Sequence, residues 1–241
     1  SRTLMATGLH QPVEIVKDRW GVAHIYAKDE HDLFFAQGYN VASDRLFQLE
    51  IWRRQATGTV AEILGPKEVQ RDIGNRLFRF RGDMTKELNW YHPRGASIIN
   101  AFVEGINAYV AATEKDPTLL TPEFKMLEFK PGRWTPAVVI SRFNGLLGNA
   151  ETEINMALAV KALGAEKVKD LEHFQPGDPD LRIDPSIDTS LLSNDILKVF
   201  KAFRTQLRFT ADELKPEYRN PKSVTRLERM IDLASPLDQS T

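Results

Sequence analysis

A single short β-hairpin at the start of the chain is followed by helical patterns only. Side chains alternate across a strand in residues 13–17, a turn-like Asp18-Arg19-Trp20-Gly21 follows, and residues 22–26 form a second apolar strand. Two strands alone are marginal in water, and this hairpin is apolar on both sides. Either helices of the same chain cover it, or another chain completes its sheet.

From Glu30 onwards, apolar residues recur at steps of three and four, the period of an amphipathic helix. Gly38 interrupts this first run and marks either close packing or a break between two helices. The run stops near Gly58, and a loop rich in Pro and Asp is predicted over residues 175–190. Further helices are predicted over Glu68–Asn89, Ala96–Lys115, Val138–Leu163 and Ser193–Leu207.

These patterns describe one mainly helical α+β chain in three parts, with no internal repeat. Residues 1–29 are the N-terminal hairpin, residues 30–207 the helical region, and residues 208–241 a variable tail rich in charge and proline.

Composition excludes several classes of protein. Hydrophobic residues make up 42% and charged residues 27% of the 241 residues, as in globular rather than disordered proteins. The formal net charge of −1 gives no support to nucleic acid or an anionic membrane as a partner, and no run reaches the roughly 18 apolar residues of a membrane span. The lack of cysteine excludes disulfides and a cysteine nucleophile. Residues 1–12 show no signal-peptide pattern, as in a protein whose signal peptide has been removed.

A long part of the sequence resembles penicillin acylases and acyl-homoserine-lactone acylases, which are N-terminal-nucleophile hydrolases. Val13–Ala27 (VEIVKDRWGVAHIYA) is similar to the opening strands of that family, and Gly38–Glu50 (GYNVASDRLFQLE) to its first long helix. Further similar segments follow in the family's order, up to about residue 165: Arg53-Arg54, Thr57–Glu62, Leu64-Gly65, Gly105–Ala108, Pro122, Trp134–Pro136, Gly148–Ala150 and Glu153-Ile154.

The resemblance implies a fold, a partner and a compartment. The fold would be the four-layered αββα sandwich of N-terminal-nucleophile hydrolases, built by two chains cut from one precursor. This chain would be the small α subunit, which contributes strands to a sandwich completed by a larger β chain. The nucleophile would be the N-terminal serine of the β chain, with its own α-amino group as the base, so no catalytic residue is expected here. The enzyme would be periplasmic or secreted. Ser1 precedes the first matched strand by about a dozen residues and is interpreted as a frayed terminus or processing remnant.

The resemblance also assigns two sites to the segment around Glu153. A family glutamate at this position joins partner-chain oxygens around a structural calcium ion, a hard cation that prefers oxygen ligands; taken alone, Glu153 would be a solvated helix residue. The family lines its acyl pocket partly with residues just ahead of this glutamate. An ungapped count places Leu146 and Leu147 there, with Phe143 one turn earlier, whereas alignment on Arg142-Phe143 makes Phe143 the main wall. The same spacing is typical of any buried helix.

Other polar residues are predicted to be structural. His24 is expected to be a packing residue of the second strand, and Asp44 and Arg45 to form buried salt bridges. The acidic segment 178–188 is expected to be a solvated loop, because Arg182 occupies the third ligand position of a calcium loop. Five histidines show no metal-ligand spacing: His10, His24, His31, His92 and His173.

The favoured function is therefore that of the α subunit of a heterodimeric amidase, which removes an acyl group from a small amide. The substrate could be a β-lactam such as penicillin, an N-acyl homoserine lactone or another acylated amine. The alternative is a self-contained helical binding module, because this sequence holds no identifiable nucleophile–base pair.

Overall fold

The predicted hairpin is confirmed in a computed structural model that describes residues 3–141, 149–175 and 177–232. Strands β1 (Glu14–Lys17) and β2 (Ala23–Tyr26) pair antiparallel, with Ile15 opposite Ile25. One carboxylate oxygen of Asp18 closes the turn, because it accepts from the N–H groups of Trp20 and Val22 at 2.8 and 3.0 Å.

The rest of the described chain is helical. The α-helices are α1 (Glu30–Thr57), α2 (Ala61–Leu64), α3 (Val69–Leu77), α4 (Met84–Tyr91), α5 (Gly95–Lys115), α6 (Pro122–Leu127), α7 (Pro136–Ser141), α8 (Ala150–Leu163), α9 (Ala165–Leu171), α10 (Lys198–Arg204) and α11 (Pro221–Asp232). Short 3₁₀ turns lie at Pro66–Glu68, Pro117–Leu119, Thr189–Leu191, Asn194–Leu197, Ala211–Glu213 and Pro216–Tyr218.

Helices α1 and α5 pack against each other at backbone distance. Asp29 caps the N-terminus of α1 by accepting from the N–H of Asp32, and Gly58 ends the helix in the left-handed conformation at φ 65°. A Cβ at Gly38 would lie 2.0 Å from the carbonyl oxygen of Phe102. Gly38 therefore marks close packing, and the kink in α1 lies instead at Arg45, with φ −140° and ψ 33°.

The predicted helix over Glu68–Asn89 is two helices, because the chain breaks between α3 and α4. Asp83 starts α4 as an N-cap that accepts from the N–H of Lys86 at 3.0 Å. The helix predicted over Ser193–Leu207 is shorter than expected, with a 3₁₀ turn followed by α10. Leu207 lies beyond α10 and is buried in the main core.

The expected variable tail contributes to this core through α11. Its Leu227 is 0% exposed and joins a cluster with Phe47 of α1, Ile106 of α5 and Phe124 of α6. The Phe47 and Phe124 rings meet edge to face, with centroids 5.7 Å apart. Up to residue 232, the tail is thus part of the folded unit.

Buried ion pairs occur in α1, but one and a half turns after the position predicted for them. Asp44 and Arg45 are exposed, and Asp44 pairs with Lys17 of the hairpin. The prediction of buried salt bridges at Asp44 and Arg45 was therefore wrong. Glu50, buried, accepts from Arg53 and Arg54 at 2.8 Å.

Candidate functional site

Helix α8 presents Glu153 to solvent in its first turn. The N–H of Glu153 donates to the carbonyl of Asn149 at 3.0 Å, while its side chain is exposed. Within the described ranges, no donor or cation pairs with this carboxylate. Glu151, two residues earlier, is instead bound to Lys201 of α10 at 2.6 Å. Of the two glutamates, Glu153 is the one whose oxygens are available to a ligand from outside.

A small aromatic cluster supports α8 from one side. Ala150 and Ile154 of α8 pack against Phe200 and Phe203 of α10. Lys161, near the C-terminal end of α8, donates to the carbonyl of Thr189 at 2.6 Å, in a 3₁₀ turn that follows later in the chain. No residue of α8, which lies wholly in the described part of the chain, is fully buried. Helix α8 therefore keeps part of its apolar surface in contact with water.

The predicted acyl-pocket residues lie outside the described residues. Helix α7 ends at Ser141 and α8 begins at Ala150, whereas Phe143, Leu146 and Leu147 fall between residues 142 and 148. Their lining role stays a prediction.

The hairpin has one covered and one open face. Ile15 and Ile25 are half-buried on the face toward α1. On the opposite face Val16 and Tyr26 are exposed, Tyr26 by 61%. Helix α1 therefore covers one face of the hairpin. Among the described residues, Val16 and Tyr26 on the other face remain exposed.

Helix α3 is oriented with its apolar stripe outward. Val69, Ile73 and Leu77 follow one another at four-residue steps and are all exposed. These side chains leave an apolar stripe of α3 in contact with water.

The inward side of α3 is polar, and Arg71 and Asp72 on this side are hydrogen-bonded. Asp72 accepts from the N–H groups of Val60 and Ala61 at 2.9 and 2.8 Å, at the start of α2. Arg71 donates to the carbonyl of Thr205 at 2.7 Å. A Cβ at Gly74 would lie 2.7 Å from the carbonyl oxygen of Val199, so α3 meets α10 at backbone distance. The polar face is held in place by specific bonds, which fixes the apolar face toward solvent.

The solvated loop predicted near residue 180 is confirmed. Asp180 pairs with Arg182 at 2.6 Å, and hydrogen bonds from Arg182 lower the pKa of Asp180 to about 2. Both side chains are exposed.

The prediction for His24 was wrong, since its ring is exposed and lies 3.4 Å from Asp18. The histidines also hold a grouping that their spacing does not reveal. His10 and His31 stack with ring centroids 4.2 Å apart, and Asp29 and Asp32 lie beside them. The sequence spacing of these histidines, which does not match a metal site, gives no sign of this grouping.

None of the helices within the described ranges combines the length and apolar character needed to cross a membrane.

Comparison with known proteins gives consistent similarities. The family model described as penicillin amidase matches residues 12–206. Penicillin G acylase of Escherichia coli is 38% identical over 138 residues, which are 57% of this chain and 16% of that protein. Penicillin acylase 2 proenzyme of Pseudomonas sp. (strain SE83) is 31% identical over 199 residues, which are 81% of this chain and 25% of that protein. The chain thus spans a quarter or less of the length of these relatives.

One solved structure is similar over a whole chain. A chain of thermostable penicillin G acylase from Alcaligenes faecalis superposes with a TM-score of 0.57 at 27% identity. The match covers 74% of this chain and 100% of the solved one.

Proposed function

Because the chain belongs to the penicillin amidase family, we propose that it is the small, non-catalytic chain of a two-chain amide hydrolase. Three ratios of length support this: the match covers 16% and 25% of two relatives, but 100% of one chain in a solved acylase. A relative that is cut into a short and a long chain accounts for all three ratios. The remaining length belongs, in this proposal, to a larger partner chain.

The outward apolar surfaces are the structural observation that favours a partner. The stripe of α3, the outer face of the hairpin and the open side of α8 all expose apolar side chains. Exposure of apolar side chains to water is unfavourable in free energy, and contiguous apolar surface is typical of protein–protein contacts. The partner chain covers these surfaces and extends the hairpin into the αββα sandwich of N-terminal-nucleophile hydrolases.

The attacking group comes from the partner in this proposal. The N-terminal serine of the larger chain adds to the amide carbonyl, and its own α-amino group, whose pKa in a free chain end is about 8, takes the hydroxyl proton. The oxyanion hole is also on the partner. This chain shapes and supports the site without taking part in bond making.

A calcium ion shared between the chains is proposed at Glu153. The residues fit, because the carboxylate is exposed and has no donor or cation bound to it within the described ranges. A hard cation takes six to eight oxygens, so most of its ligands would have to be supplied by the partner. The ion would act structurally, by holding the two chains together.

The acyl-binding contribution is assigned to the segment before Glu153. Leu146 and Leu147, with Phe143 one turn earlier, would line part of an apolar pocket that receives the acyl group. The amide would be a penicillin-type β-lactam or an N-acyl homoserine lactone, and the enzyme is proposed to be periplasmic or secreted.

The experiment that tests the proposal is native mass spectrometry of the protein purified from cells that express its complete gene, combined with an amidase assay. We expect this chain to copurify with a larger chain that begins with serine, and the complex to hydrolyse chromogenic acyl amides. A single monodisperse chain of this sequence, free of a partner and inactive on amides, would instead favour a self-contained helical binding module.

A further inference from the structure

Four metal-ligating side chains converge where the N-terminal segment crosses the start of α1. One ligand atom from each of His10, Asp29, His31 and Asp32 lies within 4.8 Å of the other three. Nδ1 of His31 is 3.1 Å from Oδ1 of Asp32, and Nδ1 of His10 is 3.2 Å from Oδ2 of Asp29. His10 Nδ1 also lies 4.0 Å from Oδ1 of Asp32.

The local fold builds this arrangement from two directions. Asp29 is the N-cap of α1 and His31 and Asp32 occupy its first turn, so one turn of helix supplies three of the groups. The fourth is brought by main-chain bonds, because Asp32 accepts from the N–H groups of His10 and Gln11 at 2.9 and 2.8 Å. The position of the His10 ring is thus set by its own backbone.

Outer hydrogen bonds orient the ligand groups as they do in metal sites. Nε2 of His31 lies 3.2 Å from a carboxylate oxygen of Glu104 on α5. A ligating histidine commonly donates its second ring N–H to a carboxylate, which fixes the tautomer that ligates. The second oxygen of Asp29 is held by the N–H of Asp32 at 2.8 Å. His31 and Asp32 therefore have outer partners in Glu104 and the N–H of Gln11, and Asp29 is held by a main-chain N–H.

The charges at this point favour a cation. Three carboxylates, those of Asp29, Asp32 and Glu104, surround two imidazoles. The negative charge of these carboxylates attracts a cation.

We propose that His10, Asp29, His31 and Asp32 form a binding site for one divalent transition-metal cation of the zinc class. Ligand atoms around tetrahedral zinc lie about 3.3 Å apart, given Zn–N and Zn–O distances of about 2.0–2.2 Å. The separations here are 3.1, 3.2 and 4.0 Å for three of the pairs and at most 4.8 Å for the whole set. The rings of His10 and His31 are stacked at an angle of 17°, so the exposed His10 ring has to turn for both ring nitrogens to point at one ion. Two imidazoles with two carboxylates suit zinc and its neighbours better than calcium or magnesium, which prefer oxygen ligands alone.

Binding exchanges protons for the metal. Each imidazole would bind the cation through an unprotonated Nδ1 and keep one proton on Nε2, so a ring that carries protons on both nitrogens releases one of them to solvent. The ion then cross-links the N-terminal segment to α1 and stabilises the folded protein by mass action. This role is separate from amide hydrolysis.

The complete purified protein is first treated with a chelator, and calcium is then returned. The test is a titration of this protein with zinc chloride and, separately, with cobalt chloride. We expect one equivalent to bind, and cobalt to give the visible absorption of a tetrahedral ion. His10→Ala and His31→Ala should each weaken binding at least tenfold; His10→Ala keeps the main-chain N–H that anchors the segment. Asp29→Asn keeps an oxygen for the helix cap and should also weaken binding.

Matched controls separate this site from others on the protein. His24→Ala removes an exposed histidine of the hairpin, and Glu153→Gln removes the proposed calcium ligand; both should leave zinc affinity unchanged. Glu104→Gln alters only the outer partner of His31 and should weaken binding by about 10–100-fold. The proposal is overturned if the wild-type protein binds neither ion, or if His10→Ala and His31→Ala bind them as the wild type does.

Discussion

Oε1 of Glu123 accepts a hydrogen bond from Nε of Arg226 at 2.6 Å, across 103 residues of sequence. The glutamate side chain is 1% exposed, while the arginine is half exposed. This bond joins α6 to α11 and is one reason why the C-terminal segment up to residue 232 is folded onto the core.

The stability of the protein should depend on the ionisation of Glu123. Burial alone would raise its pKa, but hydrogen bonding and the charge of Arg226 outweigh burial, so its pKa lies below the ordinary value. A carboxyl group with a lowered pKa stabilises the fold above its unfolded pKa of about 4.3, and this contribution is lost as pH falls through the folded pKa. Glu123→Gln should cost about 1–3 kcal/mol at pH 7, and the difference should shrink below about pH 4.

Thermal melts of the purified protein at several pH values measure this. Glu128→Gln is the matched control, because Glu128 ends the same helix in an exposed pair with Lys215 at 2.9 Å. Exposed pairs contribute about 0–1 kcal/mol, so this variant should melt near the wild type at every pH. Equal pH profiles for Glu123→Gln and the wild type would refute the assignment.

The outward stripe of α3 should be a contact with the partner chain. Ile73→Lys places a charge in the middle of that stripe and should weaken assembly by roughly tenfold to a hundredfold, since burial of an aliphatic side chain is worth about 1.5–3 kcal/mol. Gln70→Lys adds the same charge at an exposed position of the same helix and should have little effect. The measurement is the denaturant concentration at which the two chains separate. If the two variants separate at the same denaturant concentration, the partner chain does not contact the α3 stripe.

Glu153→Gln should slow precursor maturation and lower the melting temperature, both partly restored by excess calcium. One charge fewer at a site for a doubly charged cation weakens binding, and binding stabilises the fold by mass action. Glu151→Gln is the control, since Glu151 is already paired with Lys201. If the two variants and the wild type mature alike and none binds calcium, the metal assignment is wrong.

Leu147→Phe should shift preference toward short acyl groups, and Leu147→Ala and Phe143→Ala toward long ones. An apolar pocket discriminates by about 1–3 kcal/mol per methylene, so ratios of kcat/KM should change by roughly tenfold to a hundredfold. Chromogenic amides of increasing acyl length measure the shift. Activity lost evenly along the series would mean that these residues belong to the core.

The sequence predicted the hairpin, α1 and α5 because each carries a local signal. Period-two alternation marks the strands, and Asp29 and Gly58 bound α1 with ordinary caps. Helix α11 also has such a signal, with Pro221 at its start and Leu227 and Ile231 four residues apart. Its charged residues obscured that signal, and its burial depends on distant contacts such as Arg226 with Glu123.

Two features could not be predicted, because they depend on how elements meet. His10 and His31 are separated by the whole hairpin, and only its return to the start of α1 stacks their rings. Amphipathicity shows that α3 has an apolar stripe, but not that Arg71 and Asp72 find inward partners and turn the stripe outward. Both follow from tertiary bonds rather than from periodicity.

The close crossing of α1 and α5 sets the distance between the two helices. A Cβ at Gly105 would lie 1.9 Å from the carbonyl oxygen of Phe35, so a larger residue at this position would push the two helices apart. Glu104 is the residue before that contact, and His31 lies one turn before Phe35. The same close contact therefore also positions the Glu104 carboxylate 3.2 Å from the His31 ring. A larger residue than glycine at position 105 should lengthen that distance as well as disturb the core.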